Sequence, residues 1–205
     1  MDISRAEVEE NHKRYVERQE IFKKFGYDVE AERDFIIERS RPFSGNILEV
    51  GTGKGYFAIS LAKKGYSLTT IDVSEEEHRA ARLNVEYFGL SNKVALRVED
   101  AEKMSFKDRS FDTIFSVNVI HHLANPLKVI DEISRLITRD GKMIISDFTR
   151  EGFETMDRLH ASEGNTHATG NATPDEVAEH LSMRFDIERH KSRFQDIIVA
   201  RHKAA

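Results

Sequence analysis

The sequence predicts an α/β fold in which a doubly wound, mostly parallel sheet of seven strands carries helices on both faces. Short apolar runs typical of buried strands alternate with helical patterns from residue 46 to residue 148. A glycine-rich loop stands where the first of these strands turns into a helix. Two more strands end the chain, joined by a turn short enough to make them antiparallel. At 205 residues the chain fits one domain.

The N-terminal segment predicts helices rather than strands. Between residues 4 and 39, charged residues alternate with apolar ones at the spacing of one or two amphipathic helices. Pro42 and Gly45 then end the pattern. We expect residues 1–41 to form a helical lid on the domain.

Five strands with helices between them are expected in the central part of the chain, residues 46–148. Gly65 and Gly89 end the helices that follow the first two strands, and Pro126 occupies the first turn of a later helix. The five predicted strands cover residues 46–50, 67–73, 93–98, 111–119 and 142–148.

The last part of the chain, residues 149–205, predicts a helix, a long polar loop, a second helix and two strands. The loop covers residues 161–172, a length typical of mobile lids. Thr173 and Glu176 form a capping box that opens the second helix. The two strands are expected at residues 185–189 and 194–201.

Composition excludes several classes of function. The chain has no cysteine, which excludes disulfides, thiolate metal sites and cysteine nucleophiles. Its formal net charge of −5 gives no basic excess, so nucleic acid is not an expected partner. No apolar run reaches the roughly 20 residues that span a bilayer, and the N-terminus is acidic where a signal peptide is basic. We therefore expect a cytoplasmic protein without a membrane partner, and composition indicates no oligomeric state.

The sharpest functional signal is the glycine loop after the first strand. Gly51, Gly53 and Gly55 allow backbone N–H groups to approach a ligand, and the helix that follows favours a carboxylate or phosphate at its N-terminus. Asp72 stands at the end of the second strand, where a carboxylate can accept hydrogen bonds from two ribose hydroxyls. Together these features indicate an adenosine-containing ligand, either a nicotinamide dinucleotide or S-adenosylmethionine.

Several short motifs follow one another in order along the chain. Residues 49–55 consist of an acidic residue, one further residue and then G-x-G-x-G, whereas Tyr56 breaks the dinucleotide fingerprint G-x-G-x-x-G. An acidic–small pair, an F-D-T-I strand start and a D-G-K turn follow at residues 100–101, 111–114 and 140–142. Over roughly residues 46–148 the chain thus resembles the class I S-adenosylmethionine-dependent methyltransferases, in particular their small type 11 or ubiquinone-biosynthesis-like branch.

This resemblance implies a Rossmann-like fold, S-adenosyl-L-methionine as cofactor and S-adenosyl-L-homocysteine as product. Loop amides would hold the methionine portion, Asp72 the ribose and Asp100 the adenine amino group. The residues expected to bind the cofactor are Glu49, Gly51, Thr52, Gly53, Gly55, Asp72, Val73, Asp100, Ala101 and Asn118. Residues 118–121 lack the [DNS]-P-P-[YFW] motif of methyltransferases that act on adenine or glutamine amino groups, so a small-molecule acceptor is expected.

Acceptor contacts are expected where the fourth and fifth strands end. His121 and His122 are the candidate catalytic residues, as a base near neutral pH or as orienting groups, with packing beneath the sheet as the alternative. His160 and His167 flank the polar loop, which we expect to cover the acceptor; no metal is predicted, since their spacing does not favour one. The residues expected to contact the acceptor are Tyr15, His121, His122, Asp147, His160 and His167.

Two other functions are compatible with part of the pattern. A nicotinamide-dependent oxidoreductase would need the G-x-G-x-x-G loop and a catalytic tyrosine–lysine or histidine arrangement, which we do not find. A non-catalytic methyltransferase-like module could bind the cofactor or a partner protein without turnover. The motifs do not indicate whether an oxygen, nitrogen, sulfur or carbon atom is methylated.

Overall fold

Seven strands form one sheet in the computed structural model, which describes residues 3–165 and 172–204. In chain order they are β1 (Ile47–Val50), β2 (Leu68–Asp72), β3 (Val94–Val98), β4 (Phe111–Val117), β5 (Ile137–Phe148), β6 (Phe185–Lys191) and β7 (Gln195–His202). Their order across the sheet is β3-β2-β1-β4-β5-β7-β6, and the neighbours from β3 to β5 are parallel. β7 runs antiparallel between β5 and β6. The predicted fold class is confirmed.

Helices connect these strands and precede the first of them. In chain order the described helices are α1 (Arg5–Lys24), α2 (Val29–Arg39), α3 (Tyr56–Lys63), α4 (Glu75–Tyr87), α5 (Pro126–Leu136), α6 (Arg150–Ser162) and α7 (Pro174–Ser182). The capping box of Thr173 and Glu176 opens α7 as expected. Asp28 caps the start of α2 through two backbone N–H groups, which separates it from α1. None of the described helices combines the length and the apolar character that crossing a bilayer requires.

The sheet separates two hydrophobic cores, because successive side chains of a strand point to opposite faces. Ile144 and Ile145 of β5, each at most 2% exposed, enter different cores. The first core includes the apolar sides of α5 and α7, and the second those of α2, α3 and α4. Burial on both faces explains why the central strands have nearly continuous apolar sequences.

Strands β4 and β5 differ from the prediction at their ends. β4 stops at Val117 because Asn118 has a φ of 56°, a left-handed conformation that a strand cannot continue. β5 begins at Ile137 rather than residue 142, since Ile137 pairs with Phe111 before a register shift. An irregularity in the pairing thus lengthens β5 beyond the apolar run that predicted it.

Candidate functional site

A cavity of about 670 Å³ opens at the carboxyl ends of β1, β2, β3 and β4. Ligands of open α/β sheets bind at this edge. The glycine loop between β1 and α3 forms one wall, and the segments that follow β2, β3 and β4 form the others. Of the ten residues predicted to bind the cofactor, all but Gly55 line this cavity. The structure therefore brings together groups that lie up to 69 positions apart in the sequence.

The three loop glycines serve different purposes. A Cβ on Gly51 would overlap the side chain of Val119, so this glycine allows the loop to approach the segment after β4. At Gly55 a Cβ would lie 3.1 Å from Cβ of Ala81, which shows that Gly55 permits close packing of α4. Gly53 has a φ of 46°, and in residues 3–165 and 172–204 no atom outside Gly53 and its two chain neighbours lies within 4 Å of its Cβ position. Its open side faces space that a ligand can occupy.

Asp72 connects the end of β2 to the glycine loop. Its Oδ2 accepts the N–H of Gly53 at 2.8 Å, and its Oδ1 accepts the N–H of Ser74 at 3.0 Å. A carboxylate has about four acceptor positions, so two stay available to a ligand. The next residue, Val73, lines the same cavity and is 73% exposed. A flat apolar ligand surface would cover it.

A chain of buried hydrogen bonds lies beneath the glycine loop. Thr70 donates its hydroxyl to Glu49 Oε2 at 2.5 Å, and Thr52 Oγ1 lies 2.6 Å from Thr70 Oγ1. Nε2 of His78, on α4, lies 3.2 Å from the same Thr52 oxygen. Burial raises the pKa of Glu49 to about 8 and lowers the pKa of His78. Both groups are therefore held mainly in their neutral forms near pH 7.

Replacing Glu49 with glutamine is expected to remove a pH dependence from the free energy of unfolding. Because burial raises the pKa of this carboxyl from 4.5 to about 8, its protonation stabilises the fold fully below pH 4.5, and this contribution is lost as the pH rises to 8. Glu49→Gln cannot ionise, so its stability relative to wild type should increase between about pH 5 and about pH 8 in urea denaturation. The exposed Glu17→Gln is the control. Equal pH slopes for wild type and Glu49→Gln would contradict the expectation.

Asn118 lies on the cavity wall directly after β4. Its left-handed backbone is one that asparagine tolerates better than most residues, and its N–H donates to the carbonyl of Ser146 at 2.8 Å. Its Oδ1 atom is buried and accepts no hydrogen bond from any group in residues 3–165 or 172–204. A ligand in the cavity could supply the donor for this atom.

The two adjacent histidines have different surroundings. His121 is buried, with Nδ1 2.6 Å from Asp147 Oδ1, and its backbone N–H donates to Asp147 Oδ2 at 3.1 Å. The ring of Phe148 lies 5.5 Å from that of His121. His122 lines the cavity, whereas His121 and Asp147 do not. His121 and Asp147 therefore hold the short helical turn at Ile120–His122 against β5.

A second cavity, of about 130 Å³, adjoins the first. Arg33, Tyr56, Val117 and Asn118 line both cavities. The other walls of the smaller cavity include Phe22, Tyr27, Glu32, Ile36, Phe148 and Met156. Helices α1, α2 and α6 and the ends of β4 and β5 thus enclose a mostly apolar space beside the larger cavity.

Besides His121 and Asp147, which line neither cavity, three further residues predicted to contact the acceptor lie elsewhere or outside the described residues. Tyr15 is buried and lines neither cavity. The centre of its ring lies 5.1 Å from the centre of the Tyr56 ring. His160 belongs to α6 and lines neither cavity, and His167 lies outside the described residues. Within the ranges 3–165 and 172–204, no group of three or more histidine or acidic side chains is placed to hold a metal ion.

Arg33 is the main residue of these cavities that the sequence analysis missed. It occupies the buried face of α2 together with Val29, Ile36 and Ile37. That spacing of i, i+4, i+7 and i+8 is visible in the sequence and places an arginine among apolar residues. A charged residue on an apolar helix face is the signal that could have identified it.

Residues 48–145 match the family described as a methyltransferase domain. The phosphatidylethanolamine N-methyltransferase of Cereibacter sphaeroides is 31% identical over 128 residues, which cover 62% of this chain and 63% of that protein. The ubiquinone biosynthesis O-methyltransferase of Xanthomonas axonopodis pv. citri (strain 306) is 28% identical over 158 residues, covering 72% of this chain and 65% of that protein. The chain spans between 35% and 65% of the length of the first curated relatives it matches.

The fold is also found in solved structures. The crystal structure of PH0226 protein from Pyrococcus horikoshii OT3 has a TM-score of 0.69 with this chain at 22% identity, and the match covers 92% of this chain and 91% of that one. This likeness supports the Rossmann-like architecture. The match of residues 48–145 to a methyltransferase domain and the similarity to ubiquinone biosynthesis O-methyltransferases support a class I S-adenosylmethionine-dependent methyltransferase domain of that branch.

Proposed function

We propose that this chain transfers a methyl group from S-adenosyl-L-methionine to a small molecule bound in the second cavity. The proposal is carried by the position of the two cavities side by side, since Arg33, Tyr56, Val117 and Asn118 line both. The cofactor supplies an already activated methyl group, so the protein mainly has to align the acceptor and exclude water. The apolar walls of the second cavity serve both purposes.

The larger cavity offers a partner for each part of the cofactor. The glycine-loop amides and the N-terminus of α3 would hold the methionine carboxylate, and the unpartnered Oδ1 of Asn118 would accept from its amino group. Asp72 would bind the ribose hydroxyls, and Val73 would cover one face of adenine. Asp100 uses Oδ1 to accept the N–H of Glu102 at 2.8 Å, so its Oδ2 would accept from the adenine amino group.

Residues other than those assigned to the cofactor would contact or position the acceptor. Phe22 of α1 and Arg33 of α2 wall the second cavity, which supports the predicted lid role of residues 1–41. His122 lines the larger cavity but not the second, so it would reach only an acceptor that extends toward the cofactor, while His121 and Asp147 would position its turn. One curated relative is named as an N-methyltransferase and another as an O-methyltransferase, so the family does not determine the acceptor atom.

Calorimetric titration with S-adenosylhomocysteine and with NADH tests the proposed cofactor. We expect saturable binding of S-adenosylhomocysteine and no binding of NADH, because residues 49–55 lack the dinucleotide fingerprint. A coupled assay of S-adenosylhomocysteine release across metabolite pools then tests turnover. Binding without turnover on any pool would favour the non-catalytic module, and binding of NADH alone would favour the oxidoreductase.

A further inference from the structure

Helix α1 packs along α4 through one of its faces. Residues 7, 11 and 15 follow the i, i+4 spacing that places side chains on the same face of a helix. Arg79 of α4 donates to Glu7 at 2.8 Å, and Asn11 forms hydrogen bonds with α4. Of the 20 residues of α1, only Val8 and Tyr15 are buried. A helix with so few buried contacts can detach at a low cost in free energy.

The same helix α4 holds the glycine loop. His78 and Ala81 contact two residues of this loop, as described above. A third contact comes from Asn84, whose Nδ2 donates to the backbone carbonyl of Lys54 at 2.9 Å. Lys54 lines the larger cavity, whereas Asn84 and Asn11 line neither cavity. Asn84 therefore acts on the cavity wall from behind.

The side chain of Asn84 joins α1 to the glycine loop. It is 2% exposed, and its Oδ1 accepts a hydrogen bond from Asn11 Nδ2 at 2.7 Å. An asparagine amide has an acceptor end and a donor end, and the torsion that orients it is broad and roughly two-fold. The donor on Asn11 selects the orientation in which the NH₂ group of Asn84 faces the loop. In the reverse orientation, the oxygen of Asn84 would face the carbonyl oxygen of Lys54 without a proton between them.

The carbonyl that Asn84 holds belongs to the peptide group between Lys54 and Gly55. A peptide group is planar, so this carbonyl and the N–H of Gly55 turn together. That N–H donates to the carbonyl of Thr52 at 2.8 Å, and Gly55 has a φ of 77° where α3 begins. The bond from Asn84 thus helps to fix the path of the loop into α3. This is the part of the cavity proposed above to hold the methionine carboxylate.

We propose that Asn84 is a positioning residue that couples the docking of α1 on α4 to the conformation of the glycine loop. Docking of α1 and binding of the cofactor then stabilise each other. This inference rests on the proposed cofactor site. Coupling between two sites is reciprocal, so a docked α1 that strengthens binding must itself be stabilised by the bound ligand to the same degree. Because α1 carries Phe22, the bound cofactor would also stabilise one wall of the second cavity.

A double-mutant cycle on the affinity for S-adenosylhomocysteine, measured by calorimetry, tests this inference. We expect Asn11→Ala and Asn84→Ala each to weaken binding at least about fivefold, the lower end of typical coupling between sites. The double variant should bind within about twofold of Asn84→Ala, because both single substitutions break the same connection. Glu17→Ala, at an exposed position of α1, is the control and should keep the wild-type affinity.

Hydrogen exchange measures the reciprocal effect on α1. Saturation with S-adenosylhomocysteine should slow the exchange of α1 amides in the wild type and in Glu17→Ala. In Asn11→Ala and Asn84→Ala, also at saturation, most of this added protection should be lost. If Asn84 only stabilised α4, its replacement would lower the unfolding temperature but leave the effect of the ligand on α1 intact.

Several results would overturn the inference. They are native affinity in a folded Asn11→Ala or Asn84→Ala, fold-changes that multiply in the double variant, and α1 protection that the ligand does not change in the wild type. If Asn84→Ala does not fold, Asn11→Ala still decides through its affinity and its exchange.

Failure of the wild type to bind S-adenosylhomocysteine would contradict the proposed function instead. The connection is then tested by nuclear magnetic resonance of the ligand-free protein. Asn11→Ala should shift the backbone amide resonances of Lys54 and Gly55, and Glu17→Ala should not. Unchanged resonances in Asn11→Ala would overturn the inference.

Discussion

Replacing Asp72 with alanine is expected to weaken the binding of S-adenosylhomocysteine by at least about a hundredfold. The carboxylate would accept two ribose hydroxyls, and hydrogen bonds to charged groups contribute about 1.5–3 kcal/mol each. Two such bonds amount to about 3 kcal/mol or more, and each 1.4 kcal/mol corresponds to about a factor of ten in affinity. The variant also loses the bond from the Gly53 N–H, which helps to hold the glycine loop. Calorimetry measures the change directly.

Asp72→Asn is the matched control for this experiment. Its side-chain oxygen can still accept a hydrogen bond but carries no charge, so an affinity between those of wild type and Asp72→Ala is expected. Thermal unfolding of both variants separates loss of affinity from loss of folding. Native affinity in a folded Asp72→Ala would remove this residue from the site.

Replacing Gly53 with valine is expected to abolish detectable cofactor binding while the protein stays folded. Apart from Gly53 and its chain neighbours, no atom of the described residues lies within 4 Å of its Cβ position, so the new side chain would enter the proposed ligand space rather than the core. The φ of 46° adds strain for a side chain branched at Cβ, of the order of 1–2 kcal/mol, which a domain of this size can tolerate. Calorimetry and thermal unfolding are measured together.

Gly51→Ala serves as the comparison, because we expect it to lower the stability of the fold. There the added Cβ meets Val119, so the substitution should lower the unfolding temperature whether or not a ligand is present. Gly53→Ala should weaken binding less than Gly53→Val, since the methyl group is smaller. A folded Gly53→Val with wild-type affinity would show that the loop does not contact the cofactor closely.

The central strands and the glycine loop that lines the larger cavity could be predicted from the sequence because their signals are local. A short apolar run followed by the glycines at residues 51–55 specifies a strand, a turn and a helix within a few positions. The end of β5 nearest Ile137 was missed because its pairing with Phe111 depends on a distant strand. The local pattern of apolar residues contains no information about such a register shift.

The second cavity could not be predicted in the same way. Its walls come from segments as distant as Phe22 and Met156, which only the folded sheet brings together. The sequence also did not predict that His121 is buried while His122 lines the larger cavity. Consecutive residues of a tight helical turn point about 120° apart, so the two rings have different surroundings. Asp147 on β5 binds the His121 ring in the interior, and its position next to that ring depends on the folded sheet.

The hydrogen bonds around Thr52 affect the free energy of ligand binding. The N–H groups of Gly51 and Thr52 both donate to the carbonyl of Ile71 at 2.9 Å, and the Thr52 side chain is joined to Thr70 and His78. The loop is thus preorganised, and a ligand that enters loses little affinity to the conformational entropy of ordering it. In the proposed binding mode, this rigid loop and Asp72 would contact only parts that S-adenosylmethionine and S-adenosylhomocysteine share. The product would then be retained about as tightly as the substrate, so we expect inhibition of the proposed methyl transfer whenever S-adenosylhomocysteine accumulates.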